Sequence, residues 1–229
     1  MSDTVPGRRE FGDGPLSRAA AAVHILLVVE LLLLLTTVPG LAALVLLDRD
    51  VSNLPLVAVC LLPVGPAVSA ALHALRHQRP DLTDLRPAAA FRRAYRANLA
   101  GVLRVWVPTL AWLTLIAVNL AHLPAAAVPA WWAAPLVLVG AGVALVGANA
   151  LVIVSLFTFR TRDVVRLAGY FLVRTPGVTV GNAVLLCAAA GVTAVFSEAV
   201  LALLGAVLVL ALLRIGDPMI DVIRREFTA

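Results

Sequence analysis

Long apolar runs alternate with short, arginine-bearing polar segments along the 229-residue chain. A helix needs roughly 20 apolar residues to cross a hydrocarbon core about 30 Å thick. Six apolar stretches read as spans, at about 20–47, 55–75, 105–123, 130–159, 177–196 and 198–213, the last of them the shortest. The run from Ala19 to Leu47 follows Arg8, Arg9 and Arg18 and is too long for a secretory h-region, so it reads as an uncleaved first span. Pro39-Gly40 predicts a kink or a frayed outer turn within it. The second span carries Pro63, Gly65 and Pro66, which remove backbone donors and predict a broken helix packed against its neighbours. Residues 1–17 read as a disordered tail and 216–229 as a charged tail, around a single transmembrane domain at 18–215.

Two of the polar connections have a helical period of their own. At about 100° per residue, Phe91, Tyr95, Leu99 and Val102 fall within an arc of about 80°. Arg92, Arg93, Arg96 and Arg104 lie opposite, and Pro87 suits a first helical turn. This predicts a basic amphipathic helix at about 87–104, lying on the inner membrane face. A second is predicted at about 162–175, where Val164, Leu167, Ala168 and Phe171 share a face, Arg166 points away and Pro176 ends the helix. The expected fold is all-α: a polytopic, six-span transmembrane bundle with two cytoplasmic amphipathic helices.

Composition narrows the class further. The hydrophobic set makes up 62% of the chain and charged residues 14%, with a mean hydropathy of +0.99. A soluble domain is about half apolar and a quarter charged. A soluble globule, a disordered chain and a disulfide scaffold are thereby excluded. All 18 basic residues are arginine, and the net charge is +5. Of these, 17 fall in the tails and in the second and fourth connections, against Arg49 alone on the other side. Under the positive-inside rule this places both termini in the cytoplasm and asks for an even number of spans. Topology accounts for the arginines, so nucleic acid is not an expected partner; the bilayer and its anionic head groups are. The lysine-free, Ala- and Leu-rich usage resembles that of a GC-rich bacterial genome, and the expected location is the bacterial cytoplasmic membrane.

Charged and amide side chains inside spans are candidate functional groups. Glu30 stands between Val29 and a run of five leucines, roughly 15 Å into span one by helical rise. It reads as a proton or cation site, or as a packing contact. Asn119, Asn149 and Asn182 lie in spans three, four and five and read as interhelical glue or as part of a solute path. Gly140, Ala144 and Ala148, and likewise Gly177 and Gly181, are spaced for close helix packing. Trp131 and Trp132 open span four where an interfacial aromatic belt is expected. Cys60 and Cys187 sit in apolar runs and read as small buried hydrophobes. His73 and His77 are spaced i, i+4 but lack a third metal ligand. No nucleophile elbow, zinc-protease motif, P-loop or carboxylate pair is present, so neither enzyme chemistry nor a cofactor or metal is expected.

The segments 61–76 (LLPVGPAVSAALHALR), 91–106 (FRRAYRANLAGVLRVW) and 160–182 (RTRDVVRLAGYFLVRTPGVTVGN) resemble, in order and spacing, those of the YesL-like family of bacterial integral membrane proteins, a domain of unknown function. Pro63, Gly65, Pro66 and Ala67 resemble its Pro-x-x-Gly-Pro-Ala segment, and Phe91, Tyr95 and Asn98 its aromatic-spaced segment ending in Asn. Family members often carry Asn where Glu30 stands. The resemblance spans roughly residues 20–225 and implies a small membrane protein associated with carbohydrate import. Three functions follow as expectations: a non-catalytic accessory protein contacting ABC-transporter subunits, a small-solute permease using the broken second span and Glu30, or an organiser of anionic lipid.

Overall fold

A computed structural model describes residues 15–48, 50–77, 86–126 and 129–227. Among these the chain is helical throughout, with no strand. In order the helices are α1 (Pro15–Leu46), α2 (Leu54–Cys60), α3 (Val64–His77), α4 (Pro87–His122), α5 (Ala133–Leu156), α6 (Thr161–Arg174), α7 (Pro176–Val195), α8 (Glu198–Leu203) and α9 (Gly205–Phe227). Short 3₁₀ turns at Val51–Asn53 and Ala130–Trp132 lead into α2 and α5. Five helical stretches among the described residues are long and apolar enough to cross a membrane: Ala19–Leu46, Val51–His77, Pro87–His122, Ala130–Leu156 and Pro176–Val195. The architecture is an all-α polytopic bundle, and the chain is a multi-pass membrane protein.

Several boundaries differ from the sequence reading, each for a local reason. The amphipathic segment 87–104 is not a separate helix lying on the membrane. It runs straight into the third span as α4, 36 residues long, or about 54 Å at 1.5 Å per residue. No glycine or proline cap interrupts the chain between Arg104 and Val105. Its buried stripe is Phe91, Ala94, Val102 and Val105, whereas Leu99, placed on the apolar face by sequence, is exposed. The predicted sixth span at 198–213 is two helices that part at Leu204. The second piece continues through the predicted tail to Phe227, because Met219, Ile220 and Ile223 recur at helical spacing and are fully buried. The outer turn is not frayed at Pro39-Gly40: α1 is helical through both residues and on to Leu46. α1 begins at Pro15, inside the predicted 1–17 tail; residues 1–14 lie outside the described residues. Cys60 is half-buried and Cys187 is exposed, so the latter is not a core residue.

α3 is the hub of the bundle and packs on α1, α4, α5 and α9. Its helix is rich in alanine, and Ala67, Ala70, Ala71 and Ala74 are fully buried. Small side chains allow neighbouring helices to approach closely. Packing is strongly one-sided. Buried side chains concentrate at the arginine-bearing end, in α3, the first half of α4, the second half of α5, α6 and α9. α2, α8 and the two 3₁₀ turns bury no residue. α6 has the amphipathic face expected of it, but Val164, Ala168 and Phe171 pack into the protein core rather than into lipid.

Candidate functional site

The two helix breaks create backbone groups that need partners. An α-helix leaves its first four N–H and last four C=O groups without intrahelical partners. In hydrocarbon those groups must be satisfied from within the protein. At the first break, residues 61–63 separate α2 from α3. Pro63 stands in the break, while Gly65 and Pro66 form the first turn of α3 and are buried. The Leu61 carbonyl, which accepts the Val64 N–H across the break at 3.1 Å, accepts a second hydrogen bond of 3.0 Å from the Trp106 indole Nε1–H on α4. Gly65 makes that possible: a Cβ there would meet the Trp106 ring at 2.5 Å. On the other side, a Cβ at Gly40 of α1 would collide with the Cys60 carbonyl. The break is thus clasped between α1 and α4 at two glycines, as its proline content predicts.

Glu30 answers for the second break. Its Oε2 accepts the backbone N–H of Ala206 at 2.5 Å. Ala206 is the second residue of α9, so a carboxylate on α1 caps the first turn of another helix. The positive end of the helix dipole favours an anion there. The other oxygen, Oε1, is buried and has no hydrogen-bond partner. At its middle α9 is tied to α3 by an ion pair of 2.5 Å between Arg76 Nη1 and Asp217 Oδ1. α9 is therefore held at two places by charge: at its start from α1 and further along from α3.

The three asparagines separate. Asn149 and Asn182 are buried and bonded to each other, with Asn182 Nδ2 donating to Asn149 Oδ1 at 3.0 Å. Asn149 Nδ2 donates in turn to the Ala168 carbonyl of α6 at 3.3 Å. This chain ties α7, α5 and α6 together, and Asn182 Oδ1 is left without a partner. Asn119 is no part of it. It is exposed on α4 and bonds back to the Leu115 carbonyl of its own helix at 2.7 Å. Asn98, which the sequence marks only as the end of the aromatic-spaced segment, is a further interhelical amide. Its Nδ2 reaches Ser69 Oγ on α3 and the Ser155 carbonyl on α5, each at 3.4 Å. Glu30 bonds to Ala206, Asn119 to its own helix, and only Asn149 and Asn182 to each other, so the four predicted polar residues do not form one site.

The arginines point outward. Arg92, Arg93, Arg96, Arg104 and Arg166 are all exposed, as expected of a basic face. His73 and His77 stack with ring centroids 4.1 Å apart. No group of three metal-ligating side chains occurs among the described residues.

The feature that no motif announced is a cleft of about 1280 Å³ at the end opposite the arginines. Asp48, Asp50, Ser197 and Glu198 stand at its rim. Leu33, Val68 and Val209 lie deepest along their helices. Both breaks face it, through Leu61 and Val64 at the first and Ala202 and Gly205 at the second. Its wall is leucine, valine and alanine, with Thr37 and Thr193 as the hydroxyl groups inside. At the rim, Ser52 donates its backbone N–H at 2.8 Å and its hydroxyl at 2.5 Å to Asp50 Oδ1. These bonds hold the Asp50 carboxyl below the usual range, so it is ionised at neutral pH. The signal for the cleft lay in the breaks themselves, because helices interrupted at mid-depth leave short outer pieces that cannot pack along their full length. Comparison with known protein families, with curated proteins and with solved structures finds no match.

Proposed function

We propose that this protein is a non-catalytic membrane carrier that receives an apolar or amphiphilic molecule in the cleft between its two broken helices. One observation carries the reading: a cleft of about 1280 Å³ whose wall includes both breaks. Discontinuous helices mark the substrate site in many transporters, because a break supplies backbone dipoles and a point about which a half-helix moves. Here the Leu204 joint lets α8 move relative to α9, while α9 is fixed by Glu30 and by Arg76. The arginine-bearing half is packed and closes the path below. A sugar would set its hydroxyls against leucine and valine without partners, a costly arrangement, and this weighs against direct carbohydrate passage.

The test is transfer of a fluorescent single-chain amphiphile between the leaflets of reconstituted vesicles, read by external quenching. The protein should accelerate transfer, and Ala202→Trp or Leu41→Trp, which fill the cleft, should return the rate to that of empty vesicles. A wild-type rate equal to that of empty vesicles overturns the proposal.

A second reading rests on the exposed arginines of α4 and α6. In it that face meets anionic head groups or an acidic surface on a partner such as an ABC-transporter subunit, in keeping with the likeness to YesL-like proteins. Joint replacement of Arg92, Arg93 and Arg96 by Gln should then abolish binding to anionic vesicles or co-purification of a partner.

A further inference from the structure

Resting on the carrier reading above, we infer that the occupant of the cleft is an amphiphile with one long alkyl chain and a cationic head. The chain follows from shape and lining. From Val45 near the mouth to Leu33 on the floor is 12 residues of α1, about 18 Å by helical rise. Apolar side chains line almost the whole of that depth, which suits an extended hydrocarbon chain.

The head follows from what the chain does not provide. Lipid tails are as apolar as leucine, so moving an alkyl chain from bilayer to cleft yields little preference by itself. Discrimination has to come from the polar end of the molecule, at the rim. The rim carries three carboxylates, Asp48, Asp50 and Glu198. In sequence the polar stretches 48–53 and 197–198 contain one basic residue, Arg49. Their formal charge is therefore −3 + 1 = −2. The remaining arginines belong to the tails and to the connections at the other end. Opposite charges near a water interface attract within about a Debye length, roughly 8 Å at physiological salt. A cationic head is thus drawn to the mouth through which its chain enters, and an anionic head is repelled. The rim also includes the hydroxyl of Ser197. That hydroxyl accepts the Val200 N–H at 3.3 Å and so is engaged with α8.

The experiment uses the full chain in vesicles of uncharged digalactosyl lipid. Three photoactivatable probes share one sixteen-carbon chain and differ in the head: trimethylammonium, sulfonate or an uncharged polyol. After irradiation, labelled peptides are mapped by mass spectrometry, and labelling of cleft residues Leu41, Val57 and Leu201 is divided by that of lipid-facing Leu27 and Val184. This ratio cancels unequal partitioning into the bilayer. The expected result is a ratio about tenfold higher for the ammonium probe than for the sulfonate, a difference of about 1.4 kcal/mol. In the triple variant Asp48→Asn, Asp50→Asn, Glu198→Gln the difference should vanish while cleft labelling persists. Equal ratios for all three heads, or a preference for sulfonate, overturn the cationic head and leave the cleft reading standing. Absence of cleft labelling by every probe overturns both.

Discussion

Removing the Glu30 carboxylate separates two opposed expectations by sign. A charged side chain near the middle of a bilayer is costly, about 2.5–3.5 kcal/mol on insertion scales. If Glu30 merely endured that cost, Glu30→Leu would stabilise the bundle or leave it unchanged. In the structure the carboxylate instead accepts the Ala206 N–H at 2.5 Å, at the start of a 23-residue helix. A hydrogen bond to a charged acceptor contributes about 1.5–3 kcal/mol, and attraction to a partly buried helix end up to about 2. The two overlap, since both describe one anion at one helix terminus, and an expected loss of about 2–3 kcal/mol for Glu30→Leu follows. Glu30→Gln keeps a carbonyl acceptor but not the charge. A neutral bond is worth about 0.5–1.5 kcal/mol, so this variant should lie between the other two.

The assay is reversible unfolding in mixed micelles by SDS titration, followed by tryptophan fluorescence and circular dichroism in parallel. The predicted order of stability is wild type, then Gln, then Leu. The loss should also be local at first, with backbone amides of residues 206–208 exchanging faster before global unfolding, because the first turn of α9 loses its partner. A Leu variant at least as stable as wild type refutes the interhelical cap. So does a Gln variant below Leu.

The first break should respond to its own partner: Trp106→Phe keeps the ring but leaves the Leu61 carbonyl with the Val64 N–H alone, and the loss of one hydrogen bond should cost about 0.5–1.5 kcal/mol in the same titration. Gly65→Ala drives a methyl into the Trp106 ring and should cost about 1–3 kcal/mol by overpacking. Asn149 serves two partners and Asn182 one, so Asn149→Ala should cost more than Asn182→Ala, against a mean of about 0.6 kcal/mol for such bonds in membranes. A topology expectation is read with membrane-impermeant thiol reagents in a Cys60→Ala, Cys187→Ala background: cysteine at 96 or 166 should react only from the cytoplasmic side and cysteine at 131 only from outside.

What the sequence disclosed depended on whether one residue's neighbours along the chain were also its neighbours in space. Span two broke where Pro63 stands because a missing donor acts on the adjacent turn, whatever surrounds it. α6 showed its face because Val164, Ala168 and Phe171 repeat within one helix. On α4 the expected face of Phe91, Tyr95, Leu99 and Val102 holds except at Leu99, which is exposed, while Tyr95 packs on the margin of the core; the 3–4–4–3 spacing of Phe91, Ala94, Asn98, Val102 and Val105 marks the inward line. Admitting an amide to that stripe would have placed Asn98 inward, against Ser69 and Ser155. The α8–α9 joint had no such signal, since Leu203-Leu204-Gly205 contains one glycine within an unbroken apolar run and gives a helix no local reason to stop.

That joint is also where the apparent oddity of Glu30 resolves. A carboxylate on a lipid-spanning helix and an uncapped helix start at mid-depth are each unfavourable alone. Placed together, each supplies what the other lacks: the anion gains a donor and a positive dipole, and the helix gains an acceptor it cannot draw from lipid. The pairing allows α9 to begin inside the bundle, so α8 is left as a short piece that buries none of its residues. The cleft opens beside this joint, with Ala202 and Gly205 in its wall, and a leucine at residue 30 would remove the acceptor that meets the first turn of α9.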